Sequence, residues 1–211
     1  MHFQNPHQHY SDSAVSVNDG KLSLFNLNEP KSFEYRDSTY LVPYGVGCIN
    51  SFHSFSTKHG YFAIRSKTPI GTATWPAFWL TGKKNWPPEI DIFEMYGKCD
   101  TANIHEQTMS VHYGSIEGKT KGSITKNLNL PQNTNTIFHI YSCLWEPKKI
   151  TFFTDGVLVK TVKLNRWMRK YFDEEMYVII NNAIDNRYID CLEANQLPHK
   201  FEIDWVRVYT K

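Results

Sequence analysis

The sequence predicts an all-β domain in which antiparallel sheets pack as a sandwich. Short runs of alternating apolar and polar residues dominate, turn residues separate these runs, and helical periodicity is scarce. Residues 18–20 (Asn-Asp-Gly) and 154–156 (Thr-Asp-Gly) each lie between two such runs and are typical of tight hairpin turns. The aromatic fraction of 15% also favours strands. No alternation of strands with helices is visible, which argues against a parallel sheet.

The predicted elements are short strands with one helix near residue 170. The strands cover residues 14–17, 22–24, 61–67, 78–80, 89–96, 109–113, 137–144, 150–153, 157–162, 177–180 and 201–209, and the helix covers residues 164–172. No internal repeat, low-complexity tract or linker divides them, so we expect one domain over residues 14–211. The polar, His-rich residues 1–13 are expected to form a flexible N-terminal segment.

Charge and hydropathy argue against two classes of partner. The formal net charge is +2, and no run of Lys or Arg reaches the length of a nucleic-acid-binding patch. No stretch approaches the roughly 18 apolar residues of a membrane span. The N-terminus as given lacks the apolar core of a signal peptide. We therefore expect neither nucleic acid nor a membrane as a partner.

The spacing of the cysteines argues against one kind of metal site. Cys48, Cys99, Cys143 and Cys191 are widely separated and form no CxxC pair, which argues against a zinc site. Two disulfides and four free thiols are both compatible with this spacing. The redox compartment therefore stays open at this stage.

The most informative segment is the acidic strand at residues 88–96 (PEIDIFEMY). Side chains alternate between the two faces of a strand, so Glu89 and Asp91 share one face. Strict alternation would turn Glu94 into the core. A β-bulge at residues 92–93 adds one residue and returns Glu94 to the face of the other two acids. Three carboxyls then stand in a row.

Three carboxyls in a row suit the hydrolysis of a glycosidic bond with retention of configuration. That reaction needs an ionised nucleophile and a protonated acid about 5–5.5 Å apart, and neighbouring negative charge raises the pKa of one carboxyl while the other ionises. An ordinary solvated strand face is a poor explanation, because like charges on one face repel each other. Residues 201–207 (FEIDWVR) repeat the Glu-Ile-Asp but carry Arg207 where the third acid would stand, which is typical of a structural strand.

The acidic strand resembles the ExDxxE signature of glycoside hydrolase family 16 in its bulged, laminarinase-like form, on the residues Glu89-Ile-Asp-Ile-Phe-Glu94. Further segments resemble family blocks in the expected order and together span nearly the whole chain from about residue 14. They are residues 44–51 (YGVGCINS), 60–67 (GYFAIRSK), 75–80 (WPAFWL), 139–147 (HIYSCLWEP), 150–157 (ITFFTDGV) and 204–209 (DWVRVY).

The resemblance implies a β-jelly roll of two stacked antiparallel sheets with an open cleft on the concave sheet. It implies a secreted, endo-acting hydrolase of β-linked glucans or galactans that needs no cofactor for catalysis and works as a monomer. Carried over to this chain, Glu89 is the nucleophile, Asp91 its helper and Glu94 the acid/base. A double displacement through a covalent glycosyl-enzyme follows from these roles.

His112 is carried over as a further catalytic candidate, and the other residues are carried over as candidate substrate contacts. His112 matches a histidine near the acid/base, Arg65 matches a cleft arginine, and Asn181 aligns with a cleft asparagine. Trp75 and Trp79 are four residues apart on one predicted strand and therefore face the same side, where indoles can stack on sugars. The remaining candidates for the cleft wall are Trp86 and Trp145.

The resemblance also implies a structural calcium ion on the convex side. Its ligands here would be Asp204 and a backbone carbonyl near Gly47. Calcium prefers about 6–8 oxygen ligands, so one carboxylate is a thin basis for this site.

The substrate stays open within the family. The best sequence-based interpretation is a β-1,3-glucan or a mixed β-1,3/1,4-glucan, and the short segments 82–88 and 68–74 favour an open cleft. Residues 181–190 lack the Gly-Gly that often follows this strand in laminarinases, which weakens laminarin as the substrate. A marine galactan (agar, porphyran or carrageenan) is the main alternative, and its anionic groups would need basic cleft residues such as Arg65, His105, His112 or Arg187. A transglycosylase and a non-catalytic glycan-binding domain are further alternatives.

Overall fold

The chain folds into two β-sheets that pack face to face. The computed structural model describes residues 6–99, 106–116, 119–130 and 134–210, and within these ranges nearly all regular structure is strand. The strands are β1 (Gln8–Tyr10), β2 (Val15–Asn18), β3 (Lys21–Tyr35), β4 (Ser38–Val46), β5 (Cys48–Asn50), β6 (Gly60–Lys67), β7 (Thr74–Gly82), β8 (Glu89–Glu94), β9 (Glu106–Ile116), β10 (Lys119–Asn129), β11 (His139–Glu146), β12 (Lys149–Thr154), β13 (Val157–Lys163), β14 (Met176–Ile184) and β15 (His199–Tyr209).

Strand order divides the described strands between a larger and a smaller sheet. The nine-stranded sheet has the order β1-β4-β3-β15-β6-β11-β12-β13, and β2 pairs with β3 beside this path. The six-stranded sheet has the order β10-β9-β8-β7-β14-β5. Neighbours are antiparallel except for β1, which runs parallel to β4. The predicted β-jelly-roll sandwich is confirmed.

The two hairpin turns predicted from the sequence are present. Asp19 and Gly20 connect β2 to β3 with φ values of 50° and 72°, and Asp155 and Gly156 connect β12 to β13 with φ values of 50° and 77°. Two consecutive residues with positive φ match the right-handed twist of the flanking strands. Glycine at the second position adopts this conformation without strain.

The structure differs from the sequence-based prediction in three places. Where a flexible segment is expected, residues 8–10 form β1, which pairs with β4, and residues 12–14 form a 3-10 helix. The long hairpin of β3 and β4 was not predicted beyond residue 24. The helix over 164–172 shrinks to α1 (Arg166–Arg169), whose first turn is capped by the side chain of Asn165.

The core lies between the two sheets and is filled by residues that alternate inward along each strand. The largest fully buried side chains are those of Leu24, Phe62, Ile64, Phe78, Leu80, Ile90, Ile92, Phe93, Tyr141, Trp145, Phe152 and Phe201. Because the six-stranded sheet uses one face in this way, its opposite face is available for other side chains. In the described part of the chain, no helix has the length and apolar character needed to cross a bilayer.

One disulfide links two connections at the same end of the six-stranded sheet. Cys99 follows β8, Cys191 follows β14, and their Cα atoms lie 5.5 Å apart. Cys48 and Cys143 are free thiols, and burial raises the pKa of Cys48 to about 11. The cysteine question left open by the spacing is therefore answered by one bridge and two thiols.

The disulfide gives a prediction about stability. The double variant Cys99→Ser/Cys191→Ser removes a cross-link between residues 92 positions apart, so its free energy of unfolding is expected to be lower by about 2–4 kcal/mol. Urea unfolding with and without a thiol reductant measures the difference. The reductant should lower the midpoint of the wild type and leave that of the variant unchanged. An equal wild-type midpoint in both conditions would contradict the bridge.

Candidate active site

The acidic strand β8 contains the bulge that the sequence predicts. Against β7, Asp91 pairs with Trp79 and Phe93 pairs with Phe78, so Ile92 is the extra residue. Against β9, the register also shifts between Asp91 and Glu94. Ile92 and Phe93 both lie in the core with no exposed surface. The bulge is confirmed, and it brings Glu94 to the outer face of the six-stranded sheet together with the other two acids.

Glu89 is held by residues of the preceding loop, of its own strand and of the neighbouring strand β9. The indole Nε1 of Trp86, in the loop before β8, donates a hydrogen bond of 2.7 Å to Glu89 Oε2. Asp91 also shares a hydrogen bond with Glu89. His112 lies opposite Glu89 on β9, and its Nε2 is 3.6 Å from Glu89 Oε1 and 3.0 Å from Asp91 Oδ2. The histidine, which the resemblance places near Glu94, therefore lies against Glu89 and Asp91.

Glu94 has its own set of donors. The indole Nε1 of Trp75 donates a hydrogen bond of 2.9 Å to Glu94 Oε1. The hydroxyl of Tyr96 makes a second side-chain hydrogen bond to Glu94. The Tyr96 ring lies 5.5 Å from the indole of Trp75, and the guanidinium of Arg187 lies 4.4 Å from its centroid. Arg187 is itself fixed by Asp185, which accepts from its Nε and Nη2.

Burial raises the pKa of all three acids, and repulsion from a neighbouring carboxylate adds to this rise for Glu89 and Asp91. Burial, followed by the charge of Asp91, raises the pKa of Glu89 from 4.5 to about 8, while the Trp86 hydrogen bond and His112 oppose this rise. Burial and the charge of Glu94 raise the pKa of Asp91 well above its ordinary value. Burial also raises the pKa of Glu94, against the hydrogen bonds from Tyr96 and Trp75 and the charges of His112 and Arg187. The cluster therefore holds at least one proton at neutral pH.

Tryptophans beside the acids line the same outer face. Trp75 and Trp79 both point outward from β7, as their spacing predicts, and both are half-buried. Trp79 Nε1 donates to Asn181 Oδ1 at 2.8 Å, and Asn181 Nδ2 donates to the Trp75 carbonyl at 3.3 Å. Asn181 thus lies at the site through its contacts with both tryptophans. Trp86 is 48% exposed, so its ring is available for contact with a ligand.

Two predicted contacts lie elsewhere. Arg65 belongs to β6 of the nine-stranded sheet, where the neighbouring Ile64 is buried, so the arginine side chain points to the other outer face and pairs with Asp204. Trp145 is only 1% exposed because it points inward from β11 and packs against Phe172. Their sequence-based assignment to the substrate site is wrong. His105 lies outside the described residues.

The residues implied for calcium do not fit a calcium site. The carboxylate of Asp204 pairs with the guanidinium of Arg65, whose positive charge would oppose a cation. The carbonyl of Gly47 accepts the backbone N–H of Asn182 at 3.0 Å. Among the described residues, the group with suitable ligand atoms is Glu89, Asp91 and His112, whose atoms lie within 4.8 Å of one another. The closeness of these three side chains is accounted for by the contacts of His112 with Glu89 and Asp91.

Sequence reasoning missed Tyr96 and could not place Arg187. Tyr96 is two residues beyond Glu94 on the same strand direction, and the spacing i, i+2 was the available signal for a shared face. Arg187 lies in a 3-10 helix, Asn186–Cys191, for which the sequence carries no periodic pattern. The disulfide at Cys191 fastens this segment to the one that carries Tyr96.

Comparisons with known proteins agree on one family. The family model "Glycosyl hydrolases family 16" matches residues 4–207. The chain is 29% identical over 222 aligned positions to glucan endo-1,3-beta-glucosidase A1 of Niallia circulans, covering 96% of this chain and 32% of that protein. It is 29% identical over 178 positions to keratan-sulfate endo-1,4-beta-galactosidase of Sphingobacterium multivorum, covering 80% of this chain and 40% of that protein. The chain thus spans well under half the length of either relative.

A solved structure shares the fold. The laminarinase catalytic domain from Thermotoga maritima MSB8 superposes with a TM-score of 0.77 at 25% identity. The match covers 97% of this chain and 83% of that chain. The likeness therefore extends over both sheets.

The raised pKa of Glu89 gives a prediction about stability and pH. Between pH values of about 4.5 and about 8, the folded protein binds more protons than the unfolded chain, so the free energy of unfolding falls as pH rises through this window. Glu89→Gln removes this contribution and is expected to be more stable than the wild type at pH 8 by up to about 4 kcal/mol, since one pKa unit is about 1.4 kcal/mol. Thermal unfolding at pH 4 and pH 8 checks this, with near-equal Tm values expected at pH 4.

The matched control for this prediction is Glu202→Gln. Glu202 belongs to the second Glu-Ile-Asp and faces Lys67 and Lys200 on the other sheet, and a hydrogen bond from Lys200 lowers its pKa. Its neutralisation should bring no gain at pH 8. A gain of equal size in both variants would attribute the effect to net charge and not to the acid cluster.

Tyr96 gives a second prediction at the same site. Burial raises the pKa of Tyr96, so its hydroxyl stays a donor to Glu94 over the ordinary pH range. Tyr96→Phe removes that donor and is expected to raise the pKa of Glu94 by about one unit, because a hydrogen bond to a charged group contributes about 1.5–3 kcal/mol. Carboxyl carbon chemical shifts followed by NMR against pH measure the value. An unchanged or lower pKa would exclude Tyr96 as a donor to the ionised carboxylate.

Proposed function

The chain belongs to the glycosyl hydrolases of family 16, and from this premise we propose that it is a retaining endo-β-glycosidase that cuts internal linkages of a polysaccharide. The observation that carries the proposal is the arrangement of Glu89, Asp91 and Glu94 on one outer face, with each outer acid held by a different indole donor. Two separately held carboxyls allow one to attack while the other transfers a proton.

In the first step Glu89 is the nucleophile. One carboxylate oxygen of Glu89 forms a bond to the anomeric carbon while the bond from that carbon to the bridging oxygen breaks. The leaving oxygen takes the proton of Glu94, so the departing sugar leaves as a neutral alcohol. Asp91 is the most buried of the three acids, and in this proposal the proton that the coupled pair shares lies on Asp91 when the reaction begins, which leaves Glu89 ionised and oriented.

In the second step Glu94 is a base. It removes a proton from an incoming water while the water oxygen bonds to the anomeric carbon and the bond to Glu89 breaks. Glu94 is then protonated again and Glu89 is again ionised. The hydrogen bonds from Trp75 and Tyr96 stabilise the ionised form of Glu94 that this step requires.

The substrate that these features favour is a β-1,3-glucan or a mixed β-1,3/1,4-glucan. Trp75, Trp79 and Trp86 offer apolar ring faces, which suit the CH faces of unsubstituted sugars. The relative from Niallia circulans is named a glucan endo-1,3-beta-glucosidase. A galactan remains the second candidate because Arg187 stands 60% exposed beside Glu94, although Asp185 already offsets its charge. A polymer of this kind lies outside cells, and a disulfide forms in oxidising surroundings, so we also propose that the protein is secreted. We propose that it acts as a monomer.

The proposal predicts which acid is required. Reducing-sugar release from laminarin, lichenan, agarose, porphyran and κ-carrageenan is measured for the wild type, Glu89→Gln and Glu94→Gln. The wild type should act on at least one glucan. Glu89→Gln should lose turnover while still binding the polymer, and Glu94→Gln should fall by about 10²–10⁴-fold, the range of general acid–base catalysis.

Glu202→Gln is the control, because it changes the same residue type in the same Glu-Ile-Asp context on the other sheet. Its activity should equal that of the wild type. Retained turnover in Glu89→Gln would remove Glu89 from the role of nucleophile. Binding to a polymer without any hydrolysis by the wild type would favour a glycan-binding domain, and activity on a galactan alone would replace the glucan.

A further inference from the structure

The bulge in β8 is contacted from inside the core by a polar side chain. Gln107 lies on β9, is fully buried, and its Nε2 donates a hydrogen bond of 3.3 Å to the backbone carbonyl of Ile92. Ile92 is the extra residue of the bulge, the position at which the register with β7 shifts. A backbone carbonyl displaced from a regular ladder needs a partner when it is buried. Gln107 supplies one.

The same amide is tied to the opposite sheet. Thr154, the last residue of β12, donates its hydroxyl to Gln107 Oε1 at 2.7 Å. A chain of hydrogen bonds thus crosses the core from Thr154 through Gln107 to Ile92. A buried carboxamide is unfavourable unless its donor and acceptor are both used. Both ends of Gln107 are used here, which makes its place in an otherwise apolar layer understandable.

The position of Glu94 depends on this bulge. If the same residues formed a regular strand without the bulge, alternation would place Phe93 on the outer face and turn Glu94 into the core. We propose that Gln107 is a positioning residue for the acid/base of the reaction, acting through the carbonyl of Ile92 to keep the bulge and thereby Glu94 in place. The kinetic part of this inference rests on the proposed function.

Leaving-group dependence separates this role from general destabilisation. A displaced Glu94 slows departure of a sugar alcohol, which needs a proton, but not departure of a dinitrophenolate, which does not. Gln107→Leu is therefore expected to lower kcat/KM on the polysaccharide by about 10²-fold, the size of effect of a 1 Å misplacement. On a dinitrophenyl β-oligosaccharide the first step should stay near the wild-type rate, and azide, a nucleophile that needs no base, should accelerate the second step.

Thr154→Val is the matched control. It keeps the side-chain volume and leaves Gln107 Oε1 without its donor, so it destabilises the core through the same amide. The contact between Gln107 and Ile92 remains. Thr154→Val should therefore lose stability to a similar extent without a change in leaving-group dependence. Equal leaving-group dependence in Gln107→Leu and the wild type would overturn the proposal.

A second readout is independent of activity. The indole N–H of Trp75 donates to Glu94, so its ¹H–¹⁵N resonance, assigned with Trp75→Phe, reports the place of the carboxylate. It should shift in Gln107→Leu and keep its wild-type position in Thr154→Val. An unshifted resonance in Gln107→Leu would overturn the positioning role. An inactive wild type with a shifted resonance would instead reject the proposed function and leave the positioning role standing.

Discussion

The site is organised by the repulsion among three acids that share one buried strand face. Desolvation raises the pKa of Glu89, Asp91 and Glu94 together, so none of them would stay ionised there without compensation. The compensation comes from separate elements. Trp86 precedes the strand, His112 and Trp75 lie on the two neighbouring strands, and Tyr96 follows it. The surrounding sheet therefore supplies hydrogen-bond donors and positive charge, without which three carboxyls on one buried strand face would be unfavourable.

Much of this arrangement could be predicted because it follows from short-range rules. The charge pattern of the acidic strand makes sense only if Glu94 shares a face with Glu89, and one extra residue is the smallest change that achieves this. The hairpins at Asp19-Gly20 and Asp155-Gly156 were predictable because glycine marks the required backbone. The hairpin at Arg36-Asp37 adopts the same positive φ values with residues that carry no such mark, and it was missed.

Other features depend on contacts between layers, which alternation along one strand does not reveal. The alternation around Arg65 indicates that its side chain faces away from Ile64. It does not indicate that β6 belongs to the sheet that lacks the three acids. Trp145 has the residue type of a sugar contact and the position of a core residue. The pairing of Cys99 with Cys191 requires knowing that the connections after β8 and β14 end side by side. Gln107 was invisible for the same reason, since both of its partners are distant in sequence.

The bulge at Ile92 has a consequence for how this strand can change over evolution. Because the outward position of Glu94 depends on the number of residues between the acids, a substitution at residues 92 or 93 keeps the three acids on one face. A one-residue insertion or deletion between Asp91 and Glu94 instead changes the number of residues that the bulge has to absorb. Deletion of one residue restores strict alternation and returns the third acid to the same face in a flat strand. Two lengths of the motif are thus compatible with one site, and in the longer one found here the carbonyl of the extra residue accepts a hydrogen bond from an amide in the core.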